Sequence, residues 1–345
     1  MGAGLQGLIA RGPRWSTFHR LGVRRAMLYA DAPTPGIIQT RTEAHPMNAE
    51  TLWEIPEPLS LCEVDIEGGM TTLVRRHGNP DADIRLVLSH GNGLAIDLYY
   101  PFWSLLSADF DLAVYDLRNH GWNRVGRRQE HNIPMLTHDH DRILKAIDRH
   151  FGSKPTVGVY HSLSALVSLL SDPRYYSALV LMDPPLCKPT ANEREFDEAA
   201  ERGAAMIRRR CQRFRSRDEF ADLLSVMPGF VRVLPGVHRL MARTTLRKTD
   251  GGREYELRCP REYEAQIMEY VRSFAPMLDL TSLTCPTKVI GSDPTVPFAY
   301  MPSFDLSHIL TVDYDFLPET THYLQLEQPA ECVTILREFL NSKLR

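Results

Sequence analysis

Thr156-Val157-Gly158-Val159-Tyr160-His161-Ser162-Leu163-Ser164-Ala165-Leu166-Val167 is apolar and β-branched in its first half, then turns to small and apolar residues after Ser162. The first half reads as a buried strand and the second as a helix. Ser162 falls on the sharp turn between them, where its side chain and the Leu163 N–H aim at the same space. Such a turn normally carries glycine on both sides of the serine, as G-x-S-x-G, because the strand and helix backbones pass close together. Tyr160 and Ser164 hold those positions here. Ser164 is small. Tyr160 is large, so its ring has to point away from the helix or reshape the neighbourhood. Taken by itself, a serine at this place is also a plain helix cap.

Working outward, strands and helices alternate on both sides. Residues 59–76 alternate as an antiparallel hairpin with Gly68-Gly69 near its turn. Strands are expected at 84–89, 112–115, 178–182, 287–291 and 309–312, and helices at 97–108, 137–150 and 329–343. Near-continuous apolar strands between helices require a mostly parallel sheet covered on both faces. The alternation breaks at Pro184-Pro185. Residues 186–276 read as a charged, helical insertion without a buried strand, placed to form a lid over the carboxyl ends of the strands. Its arginine run, Arg208 to Arg217, reads as a solvated helix face or as a surface for an anionic group. The expected layout is an arm and extended lead-in over 1–58, a first core part over 59–185, the lid over 186–276 and a second core part over 277–345.

Four further motifs fall just past strand ends. His90-Gly91-Asn92-Gly93 follows the 84–89 strand. Glycines there free backbone N–H groups to face a developing negative charge, and Asn92 and Leu163 N–H are the expected pair of oxyanion donors. Asp116-Leu117-Arg118-Asn119-His120-Gly121 follows the next strand, and its Asp–Arg pair is expected to brace that loop. Asp293 follows the 287–291 strand and His322 the last one. Serine is a poor nucleophile until a base takes its proton. His322 suits that task, with Asp293 fixing its tautomer. Asp183 is a rival acid, but Asp183-Pro184 reads as a strand-ending turn. Tyr99, Tyr100 and Trp103, together with Tyr160, are candidates for a substrate pocket, core packing being the alternative. His138-Asp139-His140-Asp141 looks like a metal motif, yet it lies at a helix start, where aspartates suit the dipole and the two histidines point apart. No metal site and no cofactor are expected.

With Ser162, Asp293 and His322 in that chain order, residues 59–345 resemble an α/β-hydrolase-fold serine hydrolase, esterase- or lipase-like. The matching segments are His90 to Gly93, Asp116 to Gly121, His161-Ser162-Leu163, Asp293, and Thr321-His322-Tyr323-Leu324-Gln325-Leu326-Glu327-Gln328-Pro329. The resemblance implies an α/β fold with a mostly parallel eight-stranded sheet, helices on both faces and a helical lid. It also implies hydrolysis of a carboxylic ester, lactone or thioester through an acyl-enzyme, without a cofactor. Acyl transfer or carbon–carbon bond hydrolysis would use the same triad. A catalytically silent scaffold that binds a ligand is kept open by Tyr160. Relatives with an aspartate nucleophile are argued against by Ser162, and His161 is expected to be structural.

Composition sets the outer bounds. A length of 345 residues and a hydrophobic content of 43% allow one large domain with an insertion, or two domains. A formal charge of -3 gives no case for nucleic acid, and the expected partner is a small ester or lipid-like molecule. No apolar run reaches the length of a membrane span. The six cysteines are scattered with no C-x-x-C pair, which suits a reducing compartment and a cytoplasmic location. Residues 1–30 carry Arg11, Arg14, Arg20, Arg24 and Arg25 and no acid, so a mitochondrial transit peptide is the alternative.

Overall fold

Gly68 and Gly69 both take positive φ and turn the chain between β1 (Ser60–Ile66) and β2 (Met70–Gly78), which pair antiparallel. The computed structural model describes residues 52–186, 193–296 and 312–344, all within one unit, Ala49–Arg345. Residues 1–51 of the expected arm and lead-in, residues 187–192 of the expected lid and the strand start expected at 309–311 lie outside the described residues.

After the hairpin come β3 (Arg85–Ser89), the four-residue helix α1 (Tyr100–Trp103), β4 (Asp111–Tyr115), α2 (Ile133–Phe151), β5 (Thr156–His161), α3 (Leu163–Leu169) and β6 (Ala178–Met182). A second region follows: α4 (Glu193–Arg209), β7 (Arg213–Phe214), α5 (Arg217–Ser225), α6 (Val237–Thr245), β8 (Leu246–Lys248), β9 (Tyr255–Leu257) and α7 (Arg261–Phe274). The chain then returns through β10 (Thr287–Gly291), β11 (Val312–Phe316), α8 (Leu324–Glu327) and α9 (Pro329–Lys343). The main sheet has eight strands in the order β1-β2-β4-β3-β5-β6-β10-β11, parallel from β4 onward. Order reverses at β3, whose neighbours are β4 and β5, and clefts for ligands open at the carboxyl ends of strands beside such a reversal.

Strand alternation splits the core into two layers. Leu86, Leu88, Val114, Val157, Val159 and Val180 pack with Val333, Leu336 and Phe339 of α9 on one face. Val87, Ala113, Tyr115, Tyr160, Leu179 and Leu181 pack with Ile143, Leu144 and Ile147 of α2 on the other. The helix expected at 97–108 is broken into 3₁₀ turns around α1, because Pro101 offers no N–H to carry an α-helical ladder through it. The region after β6 is not all helical: β7, β9 and β8 form a three-stranded antiparallel sheet. Strands of two or three residues are too short for any period to appear in sequence.

Tyr160 is fully buried on the α2 face. A Cβ placed on Gly158 would lie 2.4 Å from its Cε2, so the ring folds back over the glycine two residues earlier on the same face. The missing glycine beside Ser162 is thus compensated within the strand. The Tyr160 hydroxyl accepts from Tyr176 Oη at 3.3 Å, and Tyr176 and Tyr115 Oη meet the two ring nitrogens of His140. Burial pushes His140 down to about 3. An unfolded chain takes up that proton near pH 6.5, so stability is full above about 6.5 and declines as pH falls towards about 3, by roughly 1 kcal/mol per pH unit. Thermal midpoints measured from pH 7 to 4 should therefore fall less steeply in His140→Phe than in wild type, even though the variant starts lower. Parallel profiles would refute this.

Candidate active site

Ser162 takes φ 51° and ψ −112°, a conformation that a non-glycine residue holds only where its surroundings impose it. Those surroundings are visible. The Ser162 N–H donates to Met182 O at 3.0 Å. The Ser164 hydroxyl accepts from the His161 N–H and donates to the His161 carbonyl, both at 3.0 Å. Ser164 at the second glycine position therefore closes the turn with its own side chain. As the first residue of α3, Leu163 has an N–H with no intrahelical carbonyl to reach.

β5 and β6 run parallel with His161 opposite Met182, so the next residue of each strand, Ser162 and Asp183, leaves the sheet side by side. His322, between β11 and α8, places Nδ1 2.5 Å from Asp183 Oδ2. The carboxylate at the histidine is thus that of Asp183, which corrects the expectation for Asp293. Asp183 Oδ1 also accepts from the Ser292 N–H and hydroxyl, both at 3.0 Å. Burial alone would raise the Asp183 carboxyl, but the His322 hydrogen bond and charge and the Ser292 N–H hold it below its ordinary value. Asp293 serves its own loop. It accepts from Thr295 N and Oγ1 at 2.8 and 2.7 Å and from Glu319 N at 2.7 Å, which anchors the segment leading into His322. Ser162, Asp183 and His322 are each about nine-tenths buried.

The loop after β3 lies against this turn. A Cβ on Gly91 would sit 2.8 Å from His161 Nδ1 and 3.3 Å from Ser162 Cβ, so only glycine fits. The Gly91 N–H donates to Tyr99 Oη at 3.2 Å and the Gly93 N–H to His120 Nε2 at 3.0 Å, and the Asn92 N–H lies between these two engaged donors. Asn92 Nδ2 donates to the carbonyl of Glu264, on α7, at 2.8 Å. Asp116 does brace this loop, accepting from Ile96 N at 2.9 Å, but its cationic partner is Arg75 at 3.2 Å. Arg118 instead grips Asp139 at 2.7 and 2.8 Å. Sequence reasoning missed Arg75, since β2 lies far from the motif in the chain and adjacent only through antiparallel pairing.

The aromatic pocket candidates pack into the core, although the Tyr99 hydroxyl reaches the Gly91 loop. Tyr99, Trp103 and Tyr160 are buried in the core, and Tyr100 packs at its edge against Trp53 and Trp103. Metal-ligand types do meet once among the described residues, where His120, His131 and Cys259 bring ligand atoms within 4.8 Å of one another. However, His120 Nε2 accepts from Gly93 N, and His131 Nδ1 accepts from Asn119, whose Oδ1 is fixed by Gly126 N. The histidine lone pairs are already engaged, and the cluster does not offer three of them to a cation. The five described cysteines are free thiols, Cys187 being outside the described residues.

A strained serine between a parallel strand and a helix, a glycine loop beside it, and a buried histidine–carboxylate pair on neighbouring strand ends define a class of hydrolytic sites. The sequence profile of the alpha/beta hydrolase family matches residues 86–335, and the chain belongs to that family. A search of curated protein sequences gave no match. Among solved structures, E-2-(acetamidomethylene)succinate hydrolase is similar at 19% identity and a TM-score of 0.64, over 82% of this chain and 99% of that one. The peroxisomal alpha-beta-hydrolase Lpx1 of Saccharomyces cerevisiae is similar at 14% identity and a TM-score of 0.62, over 85% and 86%. A thermophilic esterase of Thermogutta terrifontis is similar at 18% identity and a TM-score of 0.56, over 82% and 98%. No helix among the described residues is long and apolar enough to cross a membrane.

Proposed function

We propose that this chain is a serine hydrolase that cleaves a carboxylic ester, lactone or thioester of a moderately apolar small molecule. Ser162 attacks the carbonyl carbon, and His322 takes the serine proton and returns it to the leaving group. Asp183 holds the His322 Nδ1–H and stabilises the imidazolium, while Asn92 and Leu163 N–H receive the oxyanion. Water then attacks the acyl-enzyme by the same route. The observation that carries this reading is the 2.5 Å contact of His322 with Asp183, one strand from a serine held at φ 51°. Residues 186–276 act as the lid, whose α7 touches the oxyanion loop through Glu264 and Asn92. The esterase among the similar folds is consistent with this class of substrate.

The test is labelling with a fluorophosphonate, which reacts only with an activated serine beside donors for its oxyanion. Wild type should label and Ser162→Ala should not. An ester series of increasing acyl length then ranks substrates by kcat/KM. A folded wild type that stays unlabelled overturns the proposal.

A further inference from the structure

We infer that His161, held by Tyr99, is a positioning residue of the reaction, setting His322 and the oxyanion loop against Ser162. This rests on the serine-hydrolase reading above. The His161 ring joins three loops that sequence keeps apart. Its Nδ1 is 2.7 Å from Tyr99 Oη, and its Nε2 is 2.8 Å from the backbone carbonyl of His322. Tyr99 Oη in turn accepts from the N–H of Gly91 at 3.2 Å.

Proton bookkeeping makes the chain directional. The carbonyl of His322 can only accept, so His161 Nε2 carries the hydrogen. Nδ1 is then the acceptor and receives the Tyr99 hydroxyl hydrogen. That leaves a Tyr99 lone pair for the Gly91 N–H. Every donor along Gly91, Tyr99, His161 and His322 has one acceptor, and no other arrangement satisfies all four. Tyr99 and His161 are fully buried, so water cannot replace either partner.

The ring must also stay neutral. The His161 and His322 ring centroids are 4.5 Å apart, and a positive His161 would oppose the imidazolium that His322 becomes. Burial and the nearby His322 both push His161 well below its ordinary value, in agreement with a neutral ring. The device fixes the backbone of the base and the first glycine of the oxyanion loop, Gly91, to one rigid side chain beside the nucleophile. An error of about 1 Å in such a constellation costs on the order of 10²-fold in rate.

The experiment has two arms. In the first, ¹⁵N spectra of histidine-labelled wild type, with His161 assigned by its loss in His161→Gln, should show an Nε2–H tautomer unchanged from pH 8 to 5. An Nδ1–H tautomer, or a ring that protonates in that range, overturns the inference whether or not the protein is an enzyme. In the second, Tyr99→Phe and His161→Phe should label with fluorophosphonate at least about tenfold more slowly than wild type, with KM for an activated ester little changed. His161→Gln keeps an acceptor towards Tyr99 and a donor towards His322, and should recover to within about threefold of wild type. Folded variants that label at the wild-type rate, or a glutamine variant no better than phenylalanine, refute the positioning role. Failure of wild type to label would strike the serine-hydrolase reading and this role together, while leaving the tautomer for the first arm to judge.

Discussion

Replacing Asp183 by asparagine should lower kcat on an activated aryl ester about 10⁴-fold, the loss expected when a triad histidine is held in the wrong tautomer. The surroundings of Asp183 explain why the replacement is so damaging. The Ser292 N–H can only donate, so the new amide must turn its oxygen there, where Asp183 Oδ1 now sits at 3.0 Å. Its NH₂ group then faces His322 Nδ1. Two donors cannot share a hydrogen bond, so Nδ1 must give up its hydrogen and accept. The hydrogen moves to Nε2, which can no longer take a proton from Ser162. Asp293→Asn meets a different fate. Its donors, Thr295 and Glu319, lie within its own loop and the approach to His322. That variant should lose less than about tenfold in kcat and on the order of 1 kcal/mol in stability. Steady-state kinetics on both variants, with folding checked by circular dichroism, decide the matter. Comparable losses at the two aspartates would mean that the acid has been misassigned.

The largest expected effect on stability lies at the other end of the strands. Asp111, the first residue of β4, accepts from Arg76 Nε at 2.7 Å and from Arg85 Nε at 3.0 Å, and Arg85 is completely buried. Burial would raise the Asp111 carboxyl, but these two guanidinium groups hold it below its ordinary value. Asp111→Ala leaves a buried arginine without its nearest counter-charge. The expected cost is about 3–5 kcal/mol, or on the order of 10 °C in thermal midpoint. Arg85 keeps the carbonyls of Gly152 and Phe151, which satisfy N–H groups but not charge, and a longer, partly exposed carboxylate contact with Asp148 at 3.9 Å. Because the site stands at the opposite, carboxyl ends of the strands, kcat/KM well below the melting transition should match wild type. A variant that melts normally would show that the pair is not energetically coupled to the sheet, and one that folds fully yet loses kcat would show that this end of the sheet reaches the site.

The sheet, the serine turn, the glycine loop and the histidine were legible in the chain because each sits where an apolar run ends, and apolar runs follow from burial between two helical layers. The acid was not. Asp183 and Asp293 both close a strand and both precede proline, so nothing local separates them. Strand order separates them: β6 lies against β5 and β10 lies one place further out. That order is a property of pairing, which no window of residues contains. Tyr99, Tyr100 and Trp103 looked like pocket residues because they follow the oxyanion loop, but the broken helix around Pro101 turns them into the core. Tyr160 was visible as an anomaly, and its remedy, Gly158, stood two residues away on the same face of the strand.

Strand order also sets when a growing chain acquires its site. The glycine loop, the serine and the aspartate are all translated before the region between β6 and β10 begins, and six neighbouring strands of the sheet can already have paired around them. The histidine is translated after that region and after two further strands. Until then Asp183 has Ser292 at most and lacks its histidine, and on the proposed mechanism Ser162 lacks its base. On the proposed mechanism, Ser162 is activated only after the segment carrying His322 has docked beside Asp183.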